Sequence, residues 1–241
     1  MTLQNKNVAI TGASGGLGRS LAAAYYNKGC NLFLMGTNTK KLTELKKELE
    51  NKGLFNSTIQ IQTCDLRDNQ SINKAIENST KLFGNVDILV NCAGIFPIKS
   101  MEDMALAEFN ECIQVNLSAP FALMKAFSKK MKENKWGRII NIASSSAYAG
   151  GPNTSAYCAS KHALLGLSRS LYKELKGAGV RVFCVSPGSI QTKMGREVEK
   201  LGQSYDTFMT PDEVAEYVIY STSLDGNMIS EEIRLNRVFI Q

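Results

Sequence analysis

At 241 residues, with 44% hydrophobic and 21% charged side chains, 19 glycines and 5 prolines, the chain has the composition of a globular protein. Disordered, collagenous and low-complexity classes are thereby excluded. Lys and Arg total 28 against 22 Asp and Glu, a net +6 that suits anionic small molecules, an acidic partner or simple solubility and is too weak to imply nucleic acid.

Length alone allows one or two domains, and a chain of this size buries roughly 70% of its unfolded surface, so it needs no metal or disulfide staple. The six cysteines (Cys30, Cys64, Cys92, Cys112, Cys158 and Cys184) form no C-x-x-C pair, and several lie in apolar, strand-like text such as residues 182–185. Buried, reduced thiols are expected. A single histidine removes most zinc arrangements, and no metal is expected. No apolar run reaches the ~18 residues of a membrane span, and because the polar residues 1–6 lead straight into a strand, no signal peptide is expected. A cytoplasmic protein without a membrane partner is expected.

Short apolar runs alternate with longer amphipathic segments. The pattern predicts a strand over 7–10, a helix over 17–28, a strand over 31–35 and a helix over 39–51. In that second helix Leu42, Leu45 and Leu49 form one apolar stripe among charges. A strand over 58–62, a helix over 68–83 and a strand over 86–90 follow. A long helical region over 101–134 precedes a strand over 138–142, a helix over 156–176 and a strand over 180–185. Such alternation specifies parallel strands covered by helices on both faces. No linker, charge block or repeat interrupts it, so residues 1–241 are expected to form a single α/β domain, doubly wound (Rossmann-type), with about seven strands. Ligands in such sheets lie beyond the carboxyl ends of the strands, where strand order reverses.

The loop Thr11-Gly12-Ala13-Ser14-Gly15-Gly16-Leu17-Gly18 sits after the first strand and opens the first helix. Glycines permit a sharp turn and let backbone N–H groups approach a pyrophosphate, which the helix N-terminus also favours. The spacing is G-x-x-x-G-x-G, not G-x-G-x-x-G. It also fails as a Walker loop, because Arg19-Ser20 stand in place of Lys-Ser and Ala13 in place of the first glycine. At the end of the second strand, Gly36 occupies the place where an acid would hold the ribose 2′-hydroxyl of NAD, and no Asp or Glu follows until Glu44. Thr37, Asn38, Lys40 and Lys41 offer a site for a 2′-phosphate, although the lysines are equally those of a solvated helix start. NADP is expected, with NAD the alternative.

Tyr157 and Lys161 stand four apart at the start of a helix and share one face. A tyrosine with a pKa near ~10 is a poor base at neutral pH, and a neighbouring ammonium is expected to lower it. Such a phenol exchanges a proton with an oxygen undergoing hydride chemistry. Ser144, 13 residues before Tyr157, lies at a strand's carboxyl end and is placed to hold the same oxygen.

With these motifs assembled, the chain resembles the short-chain dehydrogenase/reductase family over residues 3–192. The resemblance rests on Thr11-Gly12-x3-Gly16-x-Gly18, Asp65-Leu66, Asn91-Cys92-Ala93-Gly94, Asn116, Ser144, Tyr157-x3-Lys161 and Pro187-Gly188 followed by Thr192. It implies a carbonyl–alcohol oxidoreductase with Ser144, Tyr157, Lys161 and Asn116 as catalytic residues, Asn116 holding a water of the proton relay. It also implies that Gly12, Ser14, Gly16, Leu17 and Gly18 cradle the cofactor with Thr37 and Asn38. Asp65, beside Leu66, would hold the adenine amino group, and Asn91, Ala93 and Gly94 would pack beneath the adenosine. Lys161 would bond the nicotinamide ribose beside Tyr157, while Pro187, Gly188, Ile190 and Thr192 would border the carboxamide. Cys92 replaces the family's usual second Asn. His162 points about 100° away from Lys161 around the helix and is expected to be exposed or at an interface.

Residues 193–210 are expected to form a substrate lid, with Met194, Val198, Leu201, Tyr205 and Phe208 either lining an apolar pocket or packing on the body. The chain ends Ser230-Glu231-Glu232 through Phe239-Ile240-Gln241, where many relatives have a glycine-rich turn. Three functions follow: reduction of a small ketone, aldehyde or sugar-like substrate; reduction of 3-oxoacyl groups on an acyl carrier protein or CoA; or nucleotide binding without turnover. A basic group (Lys125, Lys129, Lys130, Lys132, Lys135, Arg138) would attract an acidic carrier, unless it is a solvated helix end. Ala178 stands where carrier-using relatives tend to have a basic residue. The resemblance also implies a homodimer or homotetramer built through the two long helices, with Leu164, Leu167 and Leu171 in an interface or in the core.

Overall fold

The computed structural model describes residues 3–53, 55–199 and 201–238. Seven strands form one parallel sheet: β1 (Asn7–Thr11), β2 (Asn31–Gly36), β3 (Ile59–Thr63), β4 (Ile88–Asn91), β5 (Gly137–Ile142), β6 (Val180–Pro187) and β7 (Glu232–Leu235). Their spatial order is β3-β2-β1-β4-β5-β6-β7, so the order reverses between β1 and β4. Side-chain alternation divides the core in two. Val8, Ile10, Leu32, Leu34, Ile88 and Val90 point to one face, while Ala9, Phe33, Met35 and Leu89 point to the other. Both sets are buried, which is why these strands read as continuous apolar runs.

The first face is covered by α1 (Gly16–Tyr26), α2 (Thr39–Asn51) and α8 (Pro211–Ser223). Asn38 caps α2 by accepting from Lys41 N at 3.0 Å, and Leu42, Leu45 and Leu49 are its buried stripe. The second face carries α3 (Asn69–Phe83), α5 (Ala119–Glu133) and α6 (Ser155–Leu175). Asp68 caps α3 through Gln70 N and Ser71 N, and Gly84, at φ 72°, ends it. Leu164 is buried, and Leu167 and Leu171 are half-buried against the second core.

The helical region expected over 101–134 is not one helix. It starts later, as α4 (Leu106–Ile113), widens into a π turn over Gln114–Ser118, and resumes as α5. Pro120 has no N–H to give the Asn116 carbonyl four residues back, so the ordinary ladder is interrupted there. Ala119 N instead reaches back five residues to Gln114 O. All six cysteines are free; five are buried and Cys92 is half-buried. Among the described residues no helix is long and apolar enough to cross a membrane, and no cluster of His, Cys, Asp and Glu suits a metal. Of the expected segments, Lys200 in the lid and Phe239–Gln241 at the end lie outside the described residues.

Candidate active site

A cavity of about 1040 Å³ opens over the carboxyl ends of the strands, at the reversal between β1 and β4. The glycine loop forms its floor, and the reason for glycine is steric. Gly12 has φ +65°, and a Cβ there would stand 2.8 Å from Ala93 Cα. A Cβ on Gly16 would stand 2.7 Å from Thr192 Cγ2, and one on Gly18 would run into the Gly12 carbonyl oxygen. Three strand ends are thus wedged around one loop. Thr11 sews two of them together, its Oγ1 accepting from Cys92 N at 3.0 Å and Ala93 N at 3.1 Å. The result is a cradle with bare backbone at the amino end of α1, suited to a pyrophosphate.

Ser144 follows β5 in extended backbone and caps a short 3-10 turn, its hydroxyl accepting from Ser146 N at 3.1 Å. Tyr157 and Lys161 rise from the first turns of α6 on one face. The Ser144 side chain is near enough to the Tyr157 phenol to lower its pKa, and the Phe96 ring meets the Tyr157 ring edge-on at 4.6 Å between centroids. The Lys161 ammonium donates to Ile142 O at 2.8 Å and lies 5.6 Å from the Tyr157 ring centroid. All three side chains line the cavity.

The electrostatics differ from the expectation that Lys161 acidifies the phenol. Burial dominates at Tyr157 and pushes it up to about 12, while the Ser144 contact pulls the other way. Burial likewise pushes Lys161 down to about 8. The ammonium is turned to a main-chain carbonyl, and the burial of both groups disfavours their charged forms.

Of the expected cofactor residues, Gly12, Ser14, Gly16, Leu17, Gly18, Thr37, Asp65, Leu66, Ala93, Gly94, Pro187, Gly188, Ile190 and Thr192 line the cavity with Tyr157 and Lys161. Asn38 does not line it; its side chain caps α2. Asn91 lies beneath, buried, donating to Asn141 Oδ1 at 2.8 Å. Asp65 faces the cavity, yet its carboxylate takes a two-pronged contact from Arg67, which holds it below the usual range. Asn116 sits in the π turn and braces the loop after β4: its Oδ1 accepts from Ile95 N at 2.9 Å and its Nδ2 donates to Ile95 O at 3.0 Å. The same Nδ2 donates to Ser160 Oγ at 3.0 Å, so the amide has no hydrogen left for a relay water.

Several wall residues escaped the sequence reading: Phe96, the segment 149–154, Ser189 and Gln203. The 13-residue gap between Ser144 and Tyr157 was the available signal, since a strand and a helix so joined must leave a loop at the strand's carboxyl end. In the segment expected to be a lid, α7 (Lys193–Glu199) and the following turn supply Met194, Val198 and Leu201 to the cavity. Tyr205 and Phe208 do not line it. Phe208 is buried, and Tyr205 lies under the Arg196 guanidinium. His162 is exposed, with Nδ1 at 2.9 Å from Cys158 O.

Comparison with known proteins agrees with this geometry. The family model described as short chain dehydrogenase matches residues 6–201. A 3-oxoacyl-(acyl-carrier-protein) reductase of Aquifex aeolicus is 33% identical over 96% of this chain and 95% of its own length. A D-threitol dehydrogenase of Mycolicibacterium smegmatis is 32% identical over 95% of this chain and 90% of its own. Among solved structures, a metagenomic short-chain oxidoreductase in complex with NADP superimposes with a TM-score of 0.86 at 28% identity, covering 99% of this chain and all of the other.

Proposed function

The chain belongs to the short-chain dehydrogenase family, and from that premise we propose that it is an NADP(H)-dependent reductase of a carbonyl compound. The observation that carries the proposal is the Tyr157 phenol, kept protonated by burial and facing the same cavity as Ser144, Lys161 and the glycine cradle. The cradle fits a dinucleotide because side chains are excluded where backbone must approach it: at Gly12, Gly16 and Gly18. When bound, the cofactor supplies the hydride.

The protein's part is placement and protons. Ser144 holds the carbonyl oxygen, and Tyr157 delivers its proton to that oxygen as negative charge develops there. Lys161 lies close enough to stabilise the phenolate left behind, and its ammonium is a donor for the ribose hydroxyls. Asn116 acts as a positioning residue, fixing Ile95 and, through Ser160, the main chain of Tyr157, whose carbonyl accepts from Ser160 Oγ at 2.7 Å. Phe96, Met194, Val198 and Leu201 give the carbonyl's substituent an apolar wall.

NADP is favoured over NAD by the end of β2. Gly36 leaves no carboxylate to repel a 2′-phosphate, and Thr37 lines the cavity while Lys40 and Lys41 stand exposed on the first turn of α2. The structural relative's NADP supports the same choice. A second reading, reduction of 3-oxoacyl thioesters on an acyl carrier protein, is favoured by the names of relatives at about a third identity.

The test is NADPH oxidation, followed by absorbance, across a panel of ketones, aldehydes, sugars and 3-oxoacyl thioesters, with Tyr157→Phe beside the wild type. Tyr157→Phe is expected to lose turnover by about a thousandfold or more while binding NADPH within a few-fold of wild type, and NADPH is expected to bind more tightly than NADH. Equal turnover in Tyr157→Phe ends the proton-transfer role, and the reverse cofactor order refutes the reading of Gly36 and Thr37.

A further inference from the structure

The lid is anchored at its stems by main chain: Gln191 N donates to Met209 O at 2.9 Å and Met209 N to Ser189 O at 3.1 Å. Between the stems, a side chain from the far end of the sequence takes over. β7 ends beside the cofactor loop, with Leu235 paired to Pro187 and its carbonyl accepting from Gly188 N at 2.8 Å. Two residues on, the half-buried Arg237 reaches three lid residues at once. It donates from Nη1 to Thr207 Oγ1 at 2.8 Å and from Nη2 to Gln203 Oε1 at 2.9 Å, and it lies 5.1 Å from the Phe208 ring centroid.

Gln203 lines the cavity, and its Oε1 also accepts from Ser189 Oγ at 3.0 Å. Ser189 sits between Gly188 and Ile190 and is itself a cavity residue. One guanidinium therefore spans the C-terminal arm, the lid and the cofactor loop. Its planar fork suits this task, because two donors diverge at a fixed angle toward two separate acceptors. At the other end of this segment, Arg196 stacks on Tyr205 and pairs with Glu199.

We propose that Arg237 is a positioning residue that holds residues 203–208 against the cofactor loop and so sets how tightly the cavity grips its carbonyl substrate. The proposal rests on the reductase reading of the cavity, but its first test does not. Hydrogen exchange of the full-length protein, read by mass spectrometry over residues 193–209, compares wild type with Arg237→Met, Arg237→Lys, Gln203→Ala and the Arg237→Met/Gln203→Ala double variant.

Exchange in the lid is expected to accelerate about tenfold in Arg237→Met, less in Arg237→Lys, and no further in the double variant than in Arg237→Met. Peptides covering β1 and β4 are expected to keep their rates. Unchanged lid exchange in Arg237→Met overturns the proposal. Should that variant loosen globally, Arg237→Lys decides, a lid rate equal to wild type counting against.

The second test uses NADPH with ethyl acetoacetate or the best carbonyl of the panel. Arg237→Met is expected to raise KM about tenfold with kcat and NADPH affinity within about twofold, a split that general destabilisation does not produce. Faster lid exchange with an unchanged KM overturns the role in substrate grip. Absence of wild-type turnover throughout the panel fails the reductase reading instead, and the exchange comparison still decides whether Arg237 holds the lid.

Discussion

The Tyr157 phenol, pushed up to about 12 by burial, keeps its proton at neutral pH, and the Lys161 ammonium, pushed down to about 8, keeps its charge only below that. This pairing suits reduction, in which the phenol is the acid and the ammonium receives the resulting negative charge. The sign of the pH dependence follows. Below about pH 8 both groups are in the required form. Above it Lys161 loses its proton while Tyr157 retains its own, so kcat/KM for reduction is expected to fall by about tenfold per pH unit beyond the limb. A kcat/KM profile from pH 6 to 10 checks this, and a limb well below 7 would point to another group. The spacing of Tyr157 and Lys161 was legible from a helical period of 3.6. The direction of their shifts was not, because burial is a property of everything packed around them: Phe96 and the Ile142 carbonyl come from other strands' ends.

At the scale of elements, α1 packs closely on the loop before it. Its Gly18 has a Cβ direction already filled by the Gly12 carbonyl, whereas Gly166, exposed in α6, has nothing within 4 Å. The same substitution should therefore have opposite signs. Gly18→Ala is expected to cost about 1–3 kcal/mol through overpacking, together with most NADPH affinity. Gly166→Ala is expected to gain about 0.5–1 kcal/mol from the lower entropy of the unfolded chain. Thermal denaturation and a fluorescence titration with NADPH check both. A neutral Gly18→Ala would mean that the loop moves freely. The π turn is the element that periodicity could not deliver. Its apolar pattern passes for continuous helix, and only Pro120, one helical bond beyond Asn116, marks the interruption.

At the scale of the whole molecule, the net charge of +6 acts through the surface it leaves exposed, and Lys129 and Lys130 stand at the solvated end of α5. Lys130 is already paired with Glu133 at 2.9 Å, a contact of little net worth at an exposed site. If an acidic carrier protein presents the substrate, KM for a carrier-linked 3-oxoacyl group should rise steeply with salt. The Lys129→Glu/Lys130→Glu variant should raise it a further ~10-fold, with KM for a free ketone unchanged. Salt-independent kinetics would remove the carrier reading.

Alternation of apolar runs with amphipathic stripes determined the parallel sheet, because a strand buried on both faces can contain little else. The glycine spacing likewise marked the cradle, since only glycine admits backbone at those positions. Tertiary structure alone decided which distant side chains meet beside the crevice. Arg237 meets Gln203 from 34 residues away, and Asn116 meets Ile95 across a loop. Contacts of this kind leave no period in a sequence: they depend on where separate elements end in space, whereas a helix stripe or a glycine turn is dictated by the residues next to it.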